Sequence, residues 1–269
     1  MTKRETGGSH LSVPMRRPED VIAHLGKGVR HWSSGYSAHS LASAWFGAKG
    51  FPPAVRALLD GSDVFRGAVF VDGLFERATE LGDGLEPTHT DLLVIAKRNG
   101  KLIAIGVEGK AEEPFAQLVG EWLAADTKGT RPKRLRELCA MLGFAGEPDP
   151  RLRYQLFHRA AACALEAERY GAETALLLVH SFSEKRTSLC DYRNFVTAVA
   201  GDAAALPDAI TGPARCKVNG QAIELYFGWV SDTVTRQTFW KDLQTHSHER
   251  EAYLRSIADK IQRYGPKDA

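Results

Sequence analysis

Asp91, Glu108 and Lys110 stand at the outer ends of two apolar runs, residues 92–96 and 102–107, joined by Lys97-Arg98-Asn99-Gly100-Lys101. Asn-Gly is the strongest short-range hairpin signal, because both central positions of the tight turn need positive φ. Counting outward from a turn at Asn99-Gly100, Asp91 falls opposite Glu108. Opposed residues share one face of the hairpin, with Cβ atoms roughly 4.5–5.5 Å apart. Lys110 lies two positions beyond Glu108, so the pleat puts it on that face too. Two carboxylates this close repel unless a proton or a cation sits between them. A hard divalent cation with oxygen ligands, Mg²⁺ or Mn²⁺, suits such a pair. It lowers the pKa of a bound water and stabilises charge on a phosphoryl oxygen. Lys110 would add positive charge beside the attacking water or the developing phosphorane.

A plainer reading makes Asp91 a strand cap and Glu108–Lys110 a surface ion pair, which is worth little. The register favours the metal site, because an accidental pair of acids seldom falls opposite across a turn. A second acid-x-Lys pattern, Asp126-Thr127-Lys128, lies in a polar, glycine-containing loop with no strand to hold it and is set aside.

The pattern Asp-x16-Glu-x-Lys on a hairpin resembles the PD-(D/E)XK nuclease superfamily, and the resemblance rests on Asp91, Glu108 and Lys110. The segments EGKAEEPF, GEWL, RYQLFHRAA and LLLVHSF also resemble an uncharacterised bacterial family within it, over most of residues 30–200. The resemblance implies an α/β fold: a mixed central β-sheet flanked by helices, restriction-endonuclease-like, with an αβββαβ core. It implies that Asp91, Glu108 and the Gly109 carbonyl bind the metal, that Lys110 positions or activates water, and that Gln155 on a later helix orients it. This chain departs from the pattern in four places. Thr90 stands where the motif has proline, and Gly109 replaces the usual apolar residue. Residues 37–49 hold no acid, and Arg159 occupies the tyrosine position of the Q-x-x-x-Y branch.

The remaining elements follow from periodicity and breakers. Acids at Glu19 and Asp20 open a short helix through Leu25. Ser37 caps a helix over 38–48, and Pro52-Pro53 starts another through Leu59. Residues 67–75 read as a strand leading to the hairpin. Glu76, Glu80 and Glu86 follow it; one of the three could reach the metal, and Glu86, nearest to Asp91 in sequence, is taken as the further candidate ligand. Helices are expected over 115–126, 135–144, 151–170 and 191–199, and a buried strand over 174–182. Asn219-Gly220 suggests a second hairpin, followed by a strand over 222–230. Residues 248–264 read as an amphipathic helix, and His246-Ser247-His248 lacks the partners of a metal site. Lys128, Arg131, Lys133, Arg134 and Arg136 form the densest basic patch, suited to backbone phosphates.

At 269 residues, 43% hydrophobic and 25% charged, the composition suits a globular protein with ample core. We read a polar tail over 1–17 and one domain over 18–269, its core at about 30–200 and a C-terminal elaboration over 201–269. The net charge of +2 permits nucleic-acid binding without demanding it. Four scattered cysteines without C-x-x-C indicate neither a zinc knuckle nor a disulfide framework. No apolar run reaches a membrane span, and residues 1–17 lack the apolar core of a secretory signal, so a cytoplasmic protein with no membrane partner is expected. Gly26-Lys27-Gly28 is not a phosphate-binding loop. The expected function is Mg²⁺- or Mn²⁺-dependent hydrolysis of nucleic acid, DNA rather than RNA, by a chain that could form a homodimer. The alternative is a catalytically silent module of the same shape that binds nucleic acid or a protein.

Overall fold

The computed structural model describes residues 18–24, 37–48, 50–144, 146–201 and 206–232. The expected tail over 1–17, the histidine pair at 246–248 and the helix over 248–264 lie outside these residues. A short 3-10 helix, Pro18–His24, precedes α1 (Ser37–Ala48) and α2 (Pro53–Asp60). Three antiparallel strands follow: β1 (Val69–Thr79), β2 (Thr88–Arg98) and β3 (Lys101–Lys110). Next come α3 (Val119–Ala124), α4 (Arg131–Leu142), α5 (Tyr154–Arg169), β4 (Thr174–Ser181) and α6 (Leu189–Ala200). The last described elements are β5 (Ile210–Val218) and β6 (Gln221–Ser231). The result is an α/β fold with one six-stranded mixed sheet in the order β1-β2-β3-β4-β6-β5.

The β2–β3 turn carries positive φ at Asn99 (49°) and Gly100 (83°). It sets the expected register, from Arg98↔Lys101 to Leu92↔Val107. Asn219-Gly220 does the same for β5–β6, starting at Val218↔Gln221. The α5 crossover brings β4 parallel to β3, and β6 then pairs parallel to β4. The segment read as a C-terminal elaboration thus supplies two strands of the central sheet. Central strands β2, β3 and β4 are buried on both faces, which explains their unbroken apolar runs. One face packs on α5 through Leu93, Ile95, Ala104 and Leu177, and the other on α1 and α2 through Leu92, Val94, Ile105 and Val107.

Three of the element boundaries that differ from the sequence reading bear on the site. The helix expected over 115–126 shortens to α3, because Ala116 adopts φ 41° and Leu118 bridges to Arg153. The helix expected over 135–144 starts earlier, at Arg131. The Asp126 carboxylate accepts the amides of Lys128, Gly129 and Arg131 and holds the loop that enters it. β1 runs on past Phe75 to Thr79, so Glu76 belongs to the sheet and not to the loop.

That extension is held by α5. Glu166, 1% exposed, accepts hydrogen bonds from Arg77 Nε at 3.1 Å, Arg77 Nη2 at 3.3 Å and Thr79 Oγ1 at 2.8 Å. Removing one partner of a buried pair leaves the other charge uncompensated. Glu166→Ala is therefore expected to cost about 3–5 kcal/mol, read as a lower urea midpoint at an unchanged slope. A loss below about 1 kcal/mol would show that the pair does not hold β1 in place.

Candidate active site

The last paired rung of the central hairpin is Leu92↔Val107, and one step further out stand Asp91 and Glu108. Glu108 is 2% exposed, so its charge needs partners supplied by the protein. Its Oε1 accepts from Lys110 Nζ at 2.9 Å and Gln155 Nε2 at 2.6 Å. Its Oε2 accepts from Arg159 Nε at 2.6 Å. Lys110 Nζ also donates to Gln155 Oε1 at 3.2 Å and lies 4.8 Å from the centre of the Phe115 ring. Gln155 and Arg159 are four residues apart on α5, so one helix face delivers both to the strand end.

Asp91 is placed less tightly. Its Oδ2 accepts the Gly109 amide at 2.9 Å, and its Oδ1 lies 3.8 Å from Arg159 Nη2. In a strand the N–H and C=O of one residue face the same edge, so the Gly109 carbonyl also faces β2. Gly109 packs under α1: a Cβ would stand 3.4 Å from both Leu41 Cβ and the Ser37 carbonyl oxygen, in contact with that helix.

Glu76 completes a row of acids on three adjacent strands. It falls between the rungs Phe75↔Leu92 and Arg77↔Thr90, beside Asp91. Its φ of 51° breaks the pleat, so Arg77 reaches Glu166 on α5 while the Glu76 charge is felt by Asp91 and Arg159. Glu86, the acid favoured from the sequence, is exposed instead, and its backbone carbonyl accepts from Arg134 Nη2 at 3.0 Å.

The acids separate electrostatically. Burial, and then the charge of Glu108, pushes Asp91 up to about 7. Burial, and then Asp91, pushes Glu76 up to about 8. Burial alone would raise Glu108 as well, but Arg159 and Lys110 outweigh it and hold the carboxyl at about 2. Glu108 is thus a fixed anion, while Asp91 and Glu76 are short of positive charge.

Arg159 Nη1 donates to Thr88 Oγ1 at 2.6 Å, and Thr88 Oγ1 lies 2.7 Å from His158 Nδ1. A guanidinium only donates, so Arg159 occupies one lone pair of the threonine oxygen, and the second short contact joins that oxygen to His158 Nδ1. Burial, and then Arg159, drives the His158 pKa well below the ordinary value, in agreement with a neutral ring. The stacked pair Trp122–Tyr154, at 3.6 Å, buttresses this end of α5.

The basic segment divides in two. Arg131 donates to the Trp122 carbonyl and covers its ring, and Arg134 pairs with Asp83 at 3.2 Å. Both are bound into the fold. Lys128, Lys133 and Arg136 are exposed, with Lys133 Nζ 3.7 Å from Glu137. Sequence reasoning named Asp91, Glu108, Lys110 and Gln155, and the structure gathers these four. It passed over Arg159 and Thr88 as site residues, and among Glu76, Glu80 and Glu86 it preferred Glu86 to Glu76. Arg159 was signalled by its spacing from Gln155, whereas Glu76 needed the β1–β2 register.

The donor set suits a hard cation. Asp91 Oδ1 and Glu108 Oε2 are carboxylate oxygens on adjacent strands, 3.8 Å and 2.6 Å from the Arg159 guanidinium. Among the described residues no group of three or more His, Cys, Asp or Glu is gathered to hold a metal. Mg²⁺ nonetheless takes only one or two carboxylates and keeps several waters.

Between about pH 4 and about pH 7, the folded chain keeps a proton on Asp91 that the unfolded chain has lost, so stability falls as pH rises through that window. In EDTA, Asp91→Asn is therefore expected to melt progressively higher than wild type from about pH 4 to about pH 7, by about 3–10 °C at the upper end. A difference that stays constant with pH would show that Asp91 ionises as an ordinary carboxylate.

No described helix is long and apolar enough to cross a membrane. No curated protein and no solved structure matches the chain. One family model, described as "Domain of unknown function (DUF6946)", matches residues 14–234, most of the 269-residue sequence. The chain therefore belongs to that family.

Proposed function

We propose that this protein is a Mg²⁺- or Mn²⁺-dependent nuclease of the PD-(D/E)XK kind, acting in the cytoplasm on DNA rather than RNA. One observation carries the reading. The Lys110 ammonium lies 2.9 Å from the buried Glu108 carboxylate, one strand from Asp91, at an end of the sheet. Asp91, Glu108 and the Gly109 carbonyl would hold the cation. A bound divalent ion lowers the pKa of water and offsets charge on the phosphoryl oxygens.

The chain's own residues do the rest. Lys110 has three donors, of which Glu108 and Gln155 take two. The third faces the phosphodiester and stabilises its developing charge. Gln155, fixed by Glu108 and Lys110, orients the attacking water. The water oxygen bonds to phosphorus as one P–O ester bond breaks, the proton lost by the water passes to the leaving oxygen, and a phosphate monoester and an alcohol result. Lys128, Lys133 and Arg136 contact the nucleic-acid backbone.

A second reading is favoured by Arg159. Its hydrogen bond to Glu108 Oε2 supplies an internal counter-charge, as a module that has lost catalysis would need.

The test incubates wild type, Lys110→Ala and Glu108→Gln with single- and double-stranded DNA and with RNA, in Mg²⁺, Mn²⁺ or EDTA. Expected is cleavage of DNA by wild type in Mg²⁺ or Mn²⁺ only, reduced at least about 100-fold in both variants. Absence of cleavage together with absence of Mn²⁺ binding by calorimetry would overturn the nuclease reading in favour of the binding module.

A further inference from the structure

We propose that Arg159 is the resident cation of the Asp91–Glu108 pair, and that a divalent ion enters by exchange with its Nε–Nη2 edge. This rests on the metal-site reading above and says how the site loads.

The argument starts from one guanidinium edge. Nε stands 2.6 Å from Glu108 Oε2, and the adjacent Nη2 stands 3.8 Å from Asp91 Oδ1. These are the two oxygens that a cation bridging the strands would share. A Mg²⁺ at roughly 2.0–2.1 Å from its ligands cannot take that position while the planar fork fills it. A guanidinium beside a divalent ion in a buried pocket is also repelled at short range.

The surroundings give the displaced group a second place. Nη1 donates to Thr88 Oγ1 at 2.6 Å, which is a pivot independent of either carboxylate. Glu76 stands on the far side of Asp91, and its charge also acts on Arg159. Turning about Thr88, the guanidinium leaves the Glu108 side and pairs with Glu76. The positive charge is conserved within the cluster, and Glu108 trades one cation for another while Lys110 stays in place. Arg159 is thus a positioning residue: before loading it keeps the carboxylates from repelling one another, and after loading it neutralises the third acid.

The first measurement is Mn²⁺ affinity by calorimetry for wild type, Arg159→Gln and Arg159→Lys. Expected is at least tenfold tighter binding by Arg159→Gln, with Arg159→Lys close to wild type. If wild type binds Mn²⁺ and folded Arg159→Gln binds no tighter, the exchange is wrong and the metal reading survives. If neither protein binds Mn²⁺, both fall.

A second measurement needs only the wild-type fold. The short bond to Glu108 shifts the Arg159 Nε–H resonance downfield and shields it from solvent exchange. Its assignment comes from its loss in Arg159→Lys. Expected on titration with diamagnetic Mg²⁺ is loss of that shift and of the protection. A signal unchanged at saturating Mg²⁺ overturns the exchange.

Discussion

Glu108 is a carboxylate buried at the end of a central strand, and much of the molecule answers to that cost. An isolated ion in such a place is not tolerated; it is neutralised or surrounded. Here it is surrounded. Lys110 comes from its own strand, and Gln155 and Arg159 come from one face of α5. The helix must therefore cross the hairpin at one height and one rotation. The small residues that follow on it, Ala160, Ala161, Ala162 and Cys163, allow the close approach this needs. Gly106 beneath Cys163 has the same origin, since a Cβ there would stand 3.3 Å from the sulfur.

The same crossing decides how charge is spread over the three edge-ward strands. Glu108 receives two cations, Asp91 one backbone amide and a guanidinium at 3.8 Å, and Glu76 the field of its neighbours. The row runs from a firmly ionised acid on β3 to proton-retaining acids on β2 and β1. A site that divides its acids in this way separates a fixed electrostatic anchor from groups that can change state or partner. The strained backbone at Glu76 belongs to this arrangement, because it turns a strand residue toward a cluster that regular pleating would not serve in company with Arg77.

The basic segment shows how composition misleads when read alone. Five cations within nine residues look like one surface patch. Two of them lock α4 to the rest of the fold, Arg131 over Trp122 and Arg134 against Asp83. The surface left for a polyanion is correspondingly smaller. The DUF6946 family match over residues 14–234 spans every strand of the described sheet, from β1 to β6.

By itself the sequence determined what is local. Asn99-Gly100 admits one tight turn, that turn admits one register, and a period of two then puts Asp91, Glu108 and Lys110 on one face. The same rule foretold the second hairpin at Asn219-Gly220. Helix α5 and its Gln155 were legible from periodicity over sixteen residues. Only the tertiary structure decided which acid stands beside Asp91. Glu86 is five residues from it in sequence and sits on an exposed loop. Glu76 is fifteen away and one strand across, because β1 continues through a left-handed residue that no alternation pattern signals. Only packing, too, brought Arg159 onto Glu108. Sequence spacing put it on the same helix face as Gln155, but the burial that makes its charge necessary arises when the helix closes over the sheet.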